Sequence, residues 1–293
     1  MASLTDQIKL ALESTMTLPW LPELTDEISK AGWDRLFCDS GLTITDYGTV
    51  RGIHKDATAP RRIIAYITTS QDADEFKTTI PLEILTGEIM ARYEKAGVSF
   101  YTSEEIAGTP ILSCIEDAMR ILKLSPGLMS TVAALVRALH IIKPTDDERD
   151  VSFSEPHIPF SIFVSVPEKR MRADALRVAE AILHEAMHLQ LTLIEQISPL
   201  VAVSRDKYFS PWRGEYRTAQ GILHALYVFR VIDCFFGELL SDSAILEEYS
   251  DYMQGRRHQI AKQIRQVKSF QDCPELTSMG ATFVRRILDP YIS

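Results

Sequence analysis

The sequence is poor in the features that mark secreted, membrane-spanning and nucleic-acid-binding proteins. Its four cysteines are scattered and form no C-x-x-C pair, which argues against a disulfide framework and against zinc held by cysteine. No apolar run reaches the length of a bilayer span, and the first residues lack the basic and apolar segments of a secretory signal. A formal net charge of -9 argues against nucleic acid and anionic membranes as partners. We therefore expect a cytoplasmic protein with reduced thiols.

Histidine is also scarce, with seven residues in the chain, yet two of them belong to an H-E-x-x-H motif. Residues four apart lie on one face of an α-helix, so the imidazoles of His184 and His188 can converge on a single metal ion. Glu185, between them, can act on a metal-bound water or orient a ligand. The motif predicts a metal site, and it leaves the metal and the reaction open.

Hydrophobic periodicity predicts an α+β fold that is mostly helical, with a small β-sheet next to the metal-binding helices. The polar and acidic connection at 144–150 is the predicted boundary between an N-terminal lobe, 1–143, and a metal-binding catalytic region, 144–293, which together can also form one compact domain. The predicted strands are 42–47, 62–69, 152–154 and 160–166. The predicted helices around the motif and ahead of it are 82–96, 111–122, 126–142, 173–197 and 214–240.

A third ligand is needed to complete the site, and His224 is the candidate because it lies in an apolar helical segment downstream of the motif. Glu195 is a rival on the motif helix, although a solvated or ion-paired role suits it better. His157 is a weaker candidate for lining the site. The remaining histidines have no partners at ligand spacing and are interpreted as structural or exposed: His54, His140 and His258.

Two arginines stand just ahead of the third histidine. If the helix has begun by Arg217, this residue lies on nearly the same face as His224, two turns away. A guanidinium there suits the far carboxylate of a dicarboxylate that chelates the metal. Arg213 is the alternative, and pairing of either arginine with a nearby acid such as Glu215 is the structural interpretation. Trp212 is interpreted as a core residue.

Three segments together resemble a known family. They are LHEAMH at 183–188, YFSPWR at 208–213, and GILHALY at 221–227 after Arg217. In this order they are similar to the H-E-x-x-H putative peptide-modification family of ribosomal peptide natural-product pathways. The resemblance implies an iron(II)- and 2-oxoglutarate-dependent dioxygenase that β-hydroxylates a precursor peptide. It further implies iron held by His184, His188 and His224, with Arg213 or Arg217 anchoring 2-oxoglutarate.

Two other functions stay open at this point. A zinc metalloprotease would use Glu185 as general base and His224 as third ligand, and the motif alone favours it. The spacing from His188 to His224 does not fit the short extension of the histidine-ligated zinc peptidases. A non-enzymatic peptide-binding module with a structural metal is the least favoured, because such a module has no need of Glu185.

Overall fold

The computed structural model describes residues 2–14, 19–40, 61–68, 79–85, 87–145, 151–154, 160–202, 206–241 and 249–292. Its α-helices are α1 Leu4–Glu13, α2 Pro22–Ser40, α3 Gly87–Lys95, α4 Ser103–Ala107, α5 Ile111–Leu122, α6 Leu128–Leu135, α7 Asp174–Ile197, α8 Ala219–Ser241, α9 Ser250–Gln266 and α10 Ser278–Ile292. Its strands are β1 Arg61–Thr68, β2 Thr79–Leu85, β3 Ala138–Ile142, β4 Ser152–Ser154, β5 Ser161–Ser165, β6 Lys207–Ser210 and β7 Glu215–Thr218. The predicted α+β class, mostly helical with a small sheet, is confirmed.

The chain divides into two compact units. The sheet unit is Ala31–Leu189, and the helical unit is Met1–Lys30 together with Gln190–Ser293. The predicted lobe boundary at residues 143 and 144 falls within the sheet unit. Among the described residues, no helix has both the length and the apolar character needed to cross a membrane.

The sheet unit is built on a mixed sheet of five strands in the order β1-β2-β3-β5-β4. The pairs β2–β3 and β3–β5 are parallel, whereas β1–β2 and β5–β4 are antiparallel. Strand β3 is buried at every position and has a parallel partner on each side. Its residues are apolar except for His140, as expected for a strand covered on both faces.

One face of this sheet carries a row of stacked rings. The ring of Phe153 in β4 stacks on Phe163 in β5 with centroids 4.5 Å apart, and His140 in β3 stacks on the other side of Phe163, also at 4.5 Å. Side chains alternate between the two faces of a strand. Ser152 and Ser154 of β4 therefore face the opposite side of the sheet, toward the helix that bears the histidine motif.

Several predicted elements agree with the structure. The strands at 62–69, 152–154 and 160–166 correspond to β1, β4 and β5, and the helices at 111–122 and 173–197 correspond to α5 and α7. The strand predicted at 42–47 lies outside the described residues.

Two predicted helices were wrong over part of their length. The segment predicted as helix 82–96 begins as strand β2 and becomes helix α3 only at Gly87, and the segment 126–142 ends as strand β3. Short apolar runs fit a buried strand as well as a buried helix, and only pairing with neighbouring strands distinguishes them. The two misassigned stretches, β2 and β3, pair with each other in parallel within the sheet.

The helical unit joins the first residues of the chain to its last third. The guanidinium of Arg286 in α10 donates to the carbonyl oxygen of Leu12 at 3.0 Å, at the end of α1, where helix carbonyls lack partners of their own. Strands β6 and β7 form a separate two-stranded hairpin with Gly214 in its turn at φ 69°. This hairpin was not predicted, and it moves the start of α8 from the predicted residue 214 to Ala219.

Candidate metal centre on helix α7

Helix α7 carries the H-E-x-x-H motif near its middle. Asp174 starts the helix, and its carboxylate accepts a hydrogen bond from the Met171 amide at 2.6 Å. An acid in the first turn is also favoured by the helix dipole. Most of the helix circumference is buried, and the more accessible positions follow one stripe that includes His184, His188 and Thr192. The two motif histidines therefore occupy the accessible stripe of an otherwise buried helix.

The two motif histidines face each other through the same ring atom. Nε2 of His184 and Nε2 of His188 lie 3.1 Å apart, and the rings meet at 67°. Two nitrogens that each bind one ion at about 2.0–2.1 Å, with an angle of roughly 90–110° between them, would be about 2.8–3.4 Å apart. The donor pair thus fits one divalent metal ion. His184 and His188 thus lie on one face of α7 with their Nε2 atoms together, and their binding of a metal ion stays a prediction.

Glu185 is a buried acid behind this pair. Its side chain is only 5 % exposed, against 24 % for His184, so it is not a surface glutamate of the helix. The Oε1 atom lies 3.9 Å from Nε2 of His184. The same Oε1 accepts a hydrogen bond from the Ser152 hydroxyl at 2.8 Å. A buried carboxylate beside an imidazole nitrogen can act as a base or can orient a bound group.

His224 lies on α8 in the helical unit and makes a short contact with Glu195 there. Its Nε2 donates to Oε2 of Glu195 at 2.8 Å, and the amide of Gln220 donates to the same carboxylate oxygen at 3.1 Å. The interpretation of Glu195 as an ion-paired residue agrees with this arrangement. Metal ligation by Nε2 of His224 would require the loss of the hydrogen that Glu195 now accepts.

Arg213 and Arg217 both belong to the β6–β7 hairpin and are exposed. Arg217 lies on β7, ahead of α8, so the same-face relation to His224 that a helical Arg217 would have does not exist. Its Nη1 donates to Oε1 of Glu215 at 2.9 Å, with the side chains 46 % and 56 % exposed. Such an exposed pair contributes little to stability, so Arg217 can exchange this partner for another carboxylate at small cost.

The other residues considered from the sequence differ in their burial. His140 is a core residue of the sheet unit and His258 is exposed on α9. Trp212, expected in the core, is half-buried and stacks on Phe229 with ring centroids 5.4 Å apart. His54 and His157 lie outside the described residues. Among the residues that the structure describes, no group of three or more His, Cys, Asp or Glu side chains is arranged to hold a metal ion. The structure therefore brings together His184 and His188 of α7, and His224 stays a predicted third ligand.

Sequence reasoning missed Ser152, the hydroxyl partner of Glu185. The Ser-Phe-Ser alternation of the predicted strand placed Ser152 and Ser154 on one face, but a strand pattern contains no information about which helix covers that face.

A comparison with models of known protein families finds no match, and a search of curated proteins finds no significant relative.

Proposed function

We propose that the protein is an iron(II)- and 2-oxoglutarate-dependent dioxygenase that β-hydroxylates a side chain of a ribosomally synthesised precursor peptide. The observation that carries the metal part is the 3.1 Å approach of the His184 and His188 Nε2 atoms on the accessible stripe of α7. The choice of iron, 2-oxoglutarate and peptide rests on the resemblance of the segments 183–188, 208–213 and 221–227 to the peptide-modification family.

In this proposal His184 and His188 hold the metal through Nε2, and His224 is the predicted third ligand. The chemistry that bound iron supplies is the coupled use of O2: one oxygen atom enters the substrate C–H bond as a hydroxyl, and the other converts 2-oxoglutarate to succinate and CO2. Glu185 orients groups at this site from its buried position. Arg213 or Arg217 pairs with the distal carboxylate of 2-oxoglutarate, a task suited to a guanidinium fork.

Zinc metalloprotease activity is the second candidate function, and one observation favours it. Glu185 is buried, and its Oε1 lies 3.9 Å from the metal-binding nitrogen of His184, which suits a general base acting on a metal-bound water. In that reaction the water adds to a peptide carbonyl, and the proton taken by Glu185 passes to the leaving amine. The two functions thus use the same motif and differ in metal, co-substrate and product.

The test is anaerobic loading of the metal-free protein with iron(II), followed by addition of O2, 2-oxoglutarate and candidate precursor peptides. The proposal predicts succinate release together with a peptide that has gained the mass of one oxygen atom. An Arg213→Gln or Arg217→Gln variant should raise the KM for 2-oxoglutarate about tenfold or more, since an ion pair of about 1.4 kcal/mol corresponds to that factor. Peptide cleavage by the zinc-loaded protein without 2-oxoglutarate would replace this proposal by the protease.

A further inference from the structure

Strand β4 supplies a hydroxyl to the acid of the motif. The Ser152 hydroxyl donates to Oε1 of Glu185 at 2.8 Å, and this oxygen is also the one that lies 3.9 Å from Nε2 of His184. Both residues belong to the sheet unit. A single hydrogen bond therefore connects the edge strand β4 to Oε1 of Glu185, the carboxylate oxygen that lies near the His184 and His188 pair.

Ser152 is held in this position by its neighbours in the sheet. The Phe153 ring stacks on Phe163 on the opposite face, nearly parallel at 7°. Next to Ser152, the Val151 amide donates to the Ser165 hydroxyl at 2.9 Å, and the Ser165 amide donates to the Val151 carbonyl at 2.8 Å. Both chain neighbours of Ser152, Val151 and Phe153, are thus held against β5. The Ser152 hydroxyl therefore has a defined location next to Glu185.

A buried carboxylate needs such a partner. Charge-assisted hydrogen bonds are shorter and stronger than neutral ones, and a buried acid with an unsatisfied oxygen is costly. Glu185 has several rotatable bonds, and its orientation is determined by what its oxygens contact. The Ser152 hydroxyl keeps Oε1 directed toward the metal-binding pair and restricts rotation of the carboxylate away from it.

We propose that Ser152 is a positioning residue that acts on the reaction through Glu185. This inference rests on the proposed function, because it assigns to Glu185 a task beside the metal held by His184 and His188. It applies to both candidate reactions, since an orienting carboxylate and a general base equally require a fixed Oε1. Partners of this kind typically change activity or metal affinity by about 10- to 100-fold when they are removed.

The test compares Ser152→Ala, Ser152→Thr, Glu185→Gln and the double variant Ser152→Ala/Glu185→Gln. Ser154→Ala is the matched control, because Ser154 lies on the same strand and faces the same side. Ser152→Ala should lower kcat about tenfold or more while the affinity of the metal-free protein for Co(II) stays unchanged. Ser152→Thr, which keeps the hydroxyl and suits a strand, should recover most of the activity. Ser154→Ala should behave as the unmodified protein.

The double variant decides whether Ser152 acts through Glu185. In the Glu185→Gln background, Ser152→Ala should cause little further loss of kcat. An equal loss in both backgrounds, or an unchanged kcat in Ser152→Ala, would overturn the proposal.

A second readout needs no turnover. The effects of Ser152→Ala and Glu185→Gln on urea unfolding of the metal-free protein should be non-additive, because the two side chains share one hydrogen bond. Additive effects would overturn the inference even if the protein is active. If the protein binds no metal and shows neither peptide hydroxylation nor peptide cleavage, the proposed function is rejected. Non-additive effects on unfolding would in that case still support the hydrogen bond between Ser152 and Glu185.

Discussion

At the scale of single residues, the described histidines differ in what their rings contact. His140 is buried in the sheet, where Phe163 stacks on it and its Nδ1 lies 3.2 Å from the Glu83 carbonyl oxygen. His184 and His188 instead bring their Nε2 atoms together at an accessible part of α7. The His140 ring is thus packed in the core of the sheet unit, whereas the two motif nitrogens meet at one point that a cation can occupy.

The residue-scale prediction concerns metal binding. Replacing His184 or His188 by alanine should reduce the affinity for Co(II) by about 100-fold or more, since each removes one of a few ligands and a lost ligand contact of about 3 kcal/mol has that effect. Isothermal titration calorimetry of the metal-free protein measures it.

The matched control is His258→Ala on the exposed side of α9, which should bind Co(II) as the unmodified protein does. His224→Ala belongs to the same series. A loss of affinity comparable to that of His188→Ala would support His224 as the third ligand, and full retention would remove it from the ligand set.

At the scale of secondary-structure elements, the approach of α10 to the segment after α7 depends on a glycine. The Leu200 carbonyl oxygen accepts a hydrogen bond from the Thr277 amide at 2.9 Å, just before α10 begins. A Cβ atom added to Gly280 would lie 2.0 Å from that same carbonyl oxygen and 2.9 Å from the Leu200 carbonyl carbon. These are backbone atoms, which cannot rotate out of the way as the end of a side chain can. Glycine at 280 is thus required by close backbone approach.

Gly280→Ala should therefore lower the free energy of unfolding by about 2–3 kcal/mol, because α10 must move away from Leu200. Gly255→Ala in α9 is the matched helical control. An added Cβ at Gly255 meets nothing within 4 Å, so this change should stabilise the protein by up to about 1 kcal/mol through helix propensity. Urea unfolding monitored by circular dichroism measures both, and equal effects of the two substitutions would contradict the assigned close approach.

Within the helical unit as a whole, a buried acid joins its three longest C-terminal elements. Asp233 in α8 accepts hydrogen bonds from Arg257 of α9 at 2.9 Å and from the Tyr291 hydroxyl of α10 at 2.6 Å. Burial, and then the nearby Asp233 carboxylate, raise the pKa of Tyr291, so this phenol stays protonated and donates.

Asp233→Ala should lower the free energy of unfolding of the protein by about 3 kcal/mol, toward the lower end of values for broken buried pairs. The lower end applies because the Arg257 side chain is 40 % exposed and regains water when its partner is lost. Asp272→Ala, at an exposed acid of the 3₁₀ helix Lys268–Asp272, is the control and should change the free energy by no more than about 0.5 kcal/mol. If Asp233→Ala lowers the free energy of unfolding no more than Asp272→Ala does, Asp233 does not hold α8, α9 and α10 together.

The sequence by itself determined the fold class, the extent of α7 and the common face of His184 and His188. These follow from local rules: helical periodicity and the positions of residues four apart on a helix. The same rules failed for β2 and β3, where a short apolar run satisfies helix and strand alike. They also missed the β6–β7 hairpin, so that Arg217 was expected on a helix and is found on a strand.

Only the tertiary structure decided which side chains meet across the chain. The Ser152 hydroxyl on Glu185, the Glu195 carboxylate on His224 and the Tyr291 hydroxyl on Asp233 each join residues far apart in sequence. No local sequence pattern encodes such pairs. The hydrogen-bond partner of a side chain depends on strand order and helix packing, and each buried polar group needs such a partner. The motif thus placed two histidines on one face of α7, while the fold determined which oxygen of Glu185 lies near them and which hydroxyl holds that oxygen in place.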